Sequence, residues 1–356
     1  MHTPPNKQSQ AGFSLVELMV ALVIGMLTTL VIMQVFSAFE GQKRTTIGTA
    51  DAQTNGSVAL HTIVRDLQMA GYGLLPTNNS NPYICDPMPT VDHDNNAATA
   101  AVPLAPITIT DGGNAAGASD TLSISFGNTQ FGGSPNIVAA LTGSRVTISS
   151  NLGCQVNDIA LLTNGTACAT TRVTDLGNPT DNTSVGLANV AAVTVGSSFL
   201  SCLGTWTNMV YRVNNGNLEA NGIPIVTGIV ALRAQYGLSA TADNNQINTW
   251  VSAANAPWNA TPLAVADRNR IKAVRIALVA RNDLYEKEVV SSTCSSTTIN
   301  APAPTGLCAW AGTDTSPAPT IDLSNTTDWD HYRYRVFETI IPLRNVVWAR
   351  NLMPST

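Results

Sequence analysis

Residues 12–36 read GFSLVELMVALVIGMLTTLVIMQVF, and their reading decides the fold. From Phe13 to Phe36 the run is apolar or nearly neutral except for Glu17. As an α-helix, rising ~1.5 Å per residue, these 24 residues reach ~36 Å. That length crosses a ~30 Å hydrocarbon core. A carboxylate facing lipid costs roughly 2.5 kcal/mol or more, so Glu17 needs a reason to be there. A secretory signal would carry its small-residue cleavage site after the apolar run. Here no A-x-A pattern follows Phe36, and the sharp boundary is Gly12–Phe13, behind a polar leader whose only basic residue is Lys7.

Beyond the span the helical pattern resumes. Leu60, Ile63, Leu67 and Ala70 fall at i, i+3, i+7 and i+10, one face of a helix, with Arg65, Asp66 and Gln68 placed off it. Gly71, Gly73 and Pro76 stop the pattern. The spacing predicts one helix from about Phe13 to about Ala70, roughly 87 Å long, through a polar middle that contains Gly41 and Gly48. Alternating runs follow at 121–126, 145–150, 159–163, 190–195, 225–238, 270–281 and 332–348, with a short strand expected at ITIT. Asn214-Asn215-Gly216 between apolar runs is a hairpin signal. Residues 77–120, 241–262, 291–330 and 349–356 read as loops. The expected class is α+β: a long N-terminal hydrophobic helix, then an antiparallel β-sheet domain with long disulfide-stapled loops.

Among 356 residues 44% are hydrophobic and only 12% charged, with a net charge of −5. A core is therefore available, and no basic excess points to nucleic acid. The six cysteines are Cys85, Cys154, Cys168, Cys202, Cys294 and Cys308. They form no CxxC pair and lie near no histidine at metal-ligand spacing, which argues for disulfides in an oxidising compartment. Six cysteines allow 15 pairings. Short loop closure favours Cys154–Cys168 and Cys294–Cys308, leaving Cys85–Cys202.

No catalytic motif occurs: G-x-S-x-G, H-E-x-x-H and G-x-x-x-x-G-K-[ST] are all missing, and an enzyme is not expected. Asp92-His93-Asp94-Asn95-Asn96 begins like a calcium loop, but Ala97 and Pro103 stand where the sixth-place Gly and twelfth-place Glu belong. No metal site and no cofactor are expected. Trp250, Trp258, Trp310 and Trp329 fall in expected loops, where they either anchor a partner or fold back onto the sheet.

Gly12-Phe13-Ser14-Leu15-Val16-Glu17-Leu18 resembles the processing site of type IV pilins and pseudopilins. The stretches 64–74, 229–238, 271–281 and 335–345 resemble the PilW family of minor pilins. The resemblance implies removal of residues 1–12 as a leader by cleavage between Gly12 and Phe13, and N-methylation of Phe13. It gives Glu17 an assembly role, pairing with the new amino terminus of a neighbouring subunit. Residues 13–36 become a transmembrane and filament-core helix, 37–71 its continuation, and 72–356 a globular β-rich domain. Major pilins commonly carry a Pro where this chain has Gln34, so a bend is not expected there.

The implied function is a minor type IV pilin that initiates the filament at its tip with other minor pilins and presents an adhesin. The alternatives are a minor pseudopilin of a type II secretion system, or a tip adhesin that binds a surface ligand directly. The implied partners are other minor and major pilins, the prepilin peptidase, the inner-membrane assembly platform, a large tip adhesin and the membrane, with no nucleic acid. The implied location is the bacterial inner membrane, the globular domain in the periplasm, and then the pilus on the cell surface.

Overall fold

A computed structural model describes residues 12, 14–96, 98–177, 181–299, 303–349 and 352–353. Helix α1 spans Leu15–Met69. It starts and stops within two residues of its expected ends and runs through Gly25, Gly41, Gly48 and Gln34 without a break. The stop is built as the sequence asked. Gly71 takes a left-handed φ of +74°, the conformation that closes a helix at low cost for glycine. The Asn345 amide then donates to the Ala70 carbonyl at 2.9 Å.

The chain divides into two compact units, the first ending at Ala50 and the second beginning at Asp51. The last turns of α1 therefore fold with the β-rich part, rather than only preceding it. Within that second unit Ala52, Gly56, Ala59, Ile63, Leu67 and Ala70 form a buried stripe at helical spacing. Gly56 is in the stripe for a specific reason. A Cβ there would stand 2.0 Å from the Phe337 ring, so only a glycine lets that ring lie against the helix.

The stripe shares its core with a four-stranded antiparallel sheet, ordered Ile247–Val251, Ile229–Ser239, Ile271–Arg281, Tyr334–Pro342. The two inner strands are buried almost throughout. Leu232, Ala234 and Tyr236 stand opposite Leu278, Ile276 and Val274 and join the core that holds Ile63 and Leu67. Ala231, Ala277 and Val279 are covered instead by Leu307, Ala309, Ile321 and Leu323 from the 291–330 segment. That long loop is thus a lid over apolar sheet surface.

A five-stranded antiparallel sheet runs in the order Ile223–Thr227, Asn217–Ala220, Thr207–Asn214, Thr121–Phe126, Ile107–Thr110. The Asn215-Gly216 turn closes as expected, with φ of 48° and 73°, the positive pair of a type I′ hairpin. Asn221-Gly222 repeats it at 50° and 79°. A seven-stranded sheet has its own core of Val146, Val173, Val185 and Leu200. The β part is therefore several antiparallel sheets rather than one.

Three expectations are corrected. Residues 190–195 form turns, not a strand, because Val193 N–H bonds back to the Val190 carbonyl at 2.9 Å. Val190 and Val193 pack on the edge of the second core. The expected loop at 241–262 contains the strand Ile247–Val251, paired along Ile229–Ser239. The third correction is the cysteine pairing. All six cysteines are disulfide-bonded, as Cys85–Cys168, Cys154–Cys202 and Cys294–Cys308. Only the last matches the short-loop expectation.

The reason lies in the hairpin Ile159–Asn164/Ala167–Asp175. Cys168 sits beside its turn, opposite Thr163, whereas Ile159, nearest in sequence to Cys154, is at the other end. Four residues of strand, at ~3.3 Å each, separate those ends, beyond the ~7 Å Cα limit for a disulfide. Cys202 stands beside Ala160 on the neighbouring strand and is reached from Cys154 with Cα atoms 5.2 Å apart.

Candidate functional site

The candidate site is the start of α1. Ser14 precedes the helix and its carbonyl accepts from Leu18 N–H at 3.2 Å. Serine is a favoured residue at that place, and Ser14-x-x-Glu17 has the spacing of a capping box. Glu17 lies in the first turn, where the exposed amides of the helix end favour a carboxylate. Sequence reasoning that looked only for a partner outside the chain missed this local support, though the S-x-x-E spacing carried the signal.

Gly12 is exposed, with open space around its Cα. Phe13 and residues 1–11, on which the leader, cleavage and methylation expectations also rest, lie outside the described residues.

Around Glu17 the helix is apolar on every side. The large hydrophobic side chains from Leu15 to Phe36 are 49–76% exposed. Such a surface is far larger than isolated exposed residues and needs lipid or other helices to cover it. Among the described residues α1 is one helix long and apolar enough to cross a membrane. The two threonine hydroxyls of the span are satisfied within the helix. Thr28 Oγ1 donates to the Ile24 carbonyl at 2.7 Å, and Thr29 Oγ1 to the Met26 carbonyl at 2.9 Å. Backbone-bonded hydroxyls of this kind are tolerated in hydrocarbon. A carboxylate has too many acceptor sites for one helix turn to satisfy. Glu17 therefore remains the residue whose chemistry asks for a cation.

The same helix carries a second off-pattern carboxylate with a different solution. Asp66, expected off the buried face, is 5% exposed. The Tyr211 hydroxyl donates to it at 2.6 Å, and Arg65 pairs with it at 3.1 Å. Burial, and then the Asp66 carboxylate, hold the Tyr211 phenol above its usual pKa. Nothing near Asp66 in the sequence signals this, because Tyr211 comes from a strand 145 residues away.

The tryptophans expected in loops fold back. Trp250 and Trp310 flank the Arg275 guanidinium, with ring centroids at 4.8 and 4.2 Å. Trp258 meets Tyr236 at 6.4 Å, and Trp329, itself in the 291–330 segment, packs against the core that this segment covers. Trp348 is the exposed one, at 80%. Among the described residues no group of three metal-ligating side chains occurs.

Residues 190–345 match the family model described as type IV pilus-assembly protein W. Residues 7–33 match the model of the prokaryotic N-terminal methylation motif. The first match encloses every strand of the four-stranded sheet, and the second encloses Gly12 to Glu17. No curated protein and no solved structure matches.

Proposed function

We propose that this chain is a minor pilin of the type IV pilus, a reading supported by its matches to the PilW and N-terminal methylation models, and that it primes filament assembly from a position at or near the tip. Glu17 carries the reading: it is the one carboxylate in the apolar, exposed stretch from Leu15 to Phe36, five residues after Gly12. Hydrolysis of the Gly12–Phe13 peptide bond would leave a carboxylate on Gly12 and an ammonium group on Phe13. Methylation of that nitrogen keeps its charge. In a bundle of such helices the ammonium of one subunit pairs with Glu17 of its neighbour. Each charge is costly alone in hydrocarbon and tolerable when paired, so the pair sets the register between subunits. Before assembly the same helix holds the protein in the membrane, with the β-rich unit on the periplasmic side.

Mass spectrometry of the protein from filaments tests the processing. The expected species begins at Phe13 and carries one methyl group; an N-terminus at Met1 in filaments overturns it. Deleting the chain tests the priming role. The expected result is far fewer filaments of ordinary length and composition. An unchanged number of filaments would rule out priming.

A further inference from the structure

A cleft in the β-rich unit is not explained by assembly through α1. It consists of two adjoining hollows of about 190 and 240 Å³ that share Thr129, Leu152 and Gly153. Its walls are the loop after the strand Thr121–Phe126 and the 150–158 loop; the end of the strand Phe199–Gly204 closes it.

These walls are held in place. The Cys154–Cys202 disulfide ties the 150–158 loop to the strand and lines the first hollow. Thr205 N–H donates to Asn128 Oδ1 at 2.7 Å, and Gln155 N–H donates to Asp158 Oδ2 at 2.7 Å. Gly127 approaches so closely that a Cβ there would stand 2.2 Å from the Leu203 carbonyl oxygen. A site built this way loses little freedom when it binds.

The lining selects a ligand class. Among the described residues, Asp158 is the only ionisable one on it. With no lysine, arginine or histidine, it does not suit a phosphate or a nucleic acid. The second hollow, lined by Asn128, Gln130, Gln155 and Asp158, is too polar for an acyl chain. Gln130 and Gln155 each offer donors and an acceptor, and Asn128 its amide donors, which matches hydroxyl groups that also do both. Phe131 stands 57% exposed with its ring against Gly153, 3.2 Å from where a Cβ would be. An aromatic ring so placed can cover the C–H face of a sugar ring. Thr129 is 5% exposed, and its hydroxyl has no hydrogen-bond partner among the described residues.

From this combination we infer that the cleft binds a neutral saccharide, with Phe131 as the stacking wall and Gln130, Gln155 and Asp158 as hydroxyl partners. The inference does not depend on the priming role, since the cleft lies in the β-rich unit and uses no residue of α1.

The test is saturation-transfer NMR on the full chain in a sugar-free zwitterionic detergent, with maltose, lactose and N,N′-diacetylchitobiose as probes. Transfer to at least one of them is expected. Phe131→Ala should weaken that binding about tenfold and Gln155→Ala about fivefold. Both side chains are exposed, and Val195→Ala, outside the cleft, should change nothing. No transfer to any of the three sugars overturns the inference, as does transfer that both cleft variants leave intact. If Phe131→Ala prevents copurification of other pilins while no sugar binds, the cleft is a subunit contact and the inference fails, with the priming role untouched.

Discussion

The two ends of α1 solve the same problem in opposite ways. From Leu15 to Phe36 the helix is apolar all round and its side chains remain exposed. From Ala52 to Ala70 it carries one buried apolar stripe on an otherwise largely polar surface, with Val58 and Met69 exposed. A helix with one apolar stripe can be covered by its own chain, whereas one that is apolar on all sides needs lipid or other helices. Each end also holds a carboxylate that breaks its pattern. Asp66 has its partners in the fold, Tyr211 and Arg65. Glu17 has only the weak support of the helix end, and its counter-charge is expected from another subunit. The difference teaches where to look for each function: stability at the second end, the proposed assembly role at the first.

Substitutions at the second end should act on unfolding, followed by the fluorescence of the buried Trp206 in detergent-solubilised full chain. The largest effect is expected from Leu67→Ala, which opens a cavity in the main core and should lower stability by about 3 kcal/mol. Gly56→Ala drives a methyl group into the Phe337 ring and should cost about 2 kcal/mol. A wild-type midpoint for this variant would show that the ring moves away freely. Asp66→Asn keeps an acceptor for Tyr211 but loses the charge, and about 1 kcal/mol is expected. Leu27→Ala, at the first end, should shift the midpoint by less than about 0.5 kcal/mol, because Leu27 is 59% exposed and has no core to leave. A loss like that of Leu67→Ala would break the contrast between the two ends.

Much of this helix was legible from the sequence because its signals are local. The apolar run, the Ile63/Leu67/Ala70 spacing and the Gly71 stop each act within a few residues. The same holds for the Asn215-Gly216 hairpin, whose turn chemistry is complete in two residues. What could not be read depends on residues far apart in the chain. The burial of Asp66 depends on Tyr211 from a distant strand, and the need for Gly56 depends on Phe337, 281 positions away. Cysteine pairing failed for Cys154 and Cys168 because loop length says nothing about which end of a hairpin a residue occupies. At the start of α1 the motif singles out Gly12, Phe13 and Glu17 for the proposed assembly role, while the exposure of the helix from Leu15 to Phe36 supplies the physical need for a partner.

The most direct test of the central claim is the amount of Glu17→Ala protein found in sheared filaments, relative to the amount in the membrane fraction of the same cells. Membrane levels should be unchanged, since the substitution makes the span more apolar. The account predicts that the filament fraction falls about tenfold or more, the loss of at least 1.4 kcal/mol of pairing in an apolar environment. A Glu17→Ala protein that reaches filaments at the wild-type ratio would contradict it.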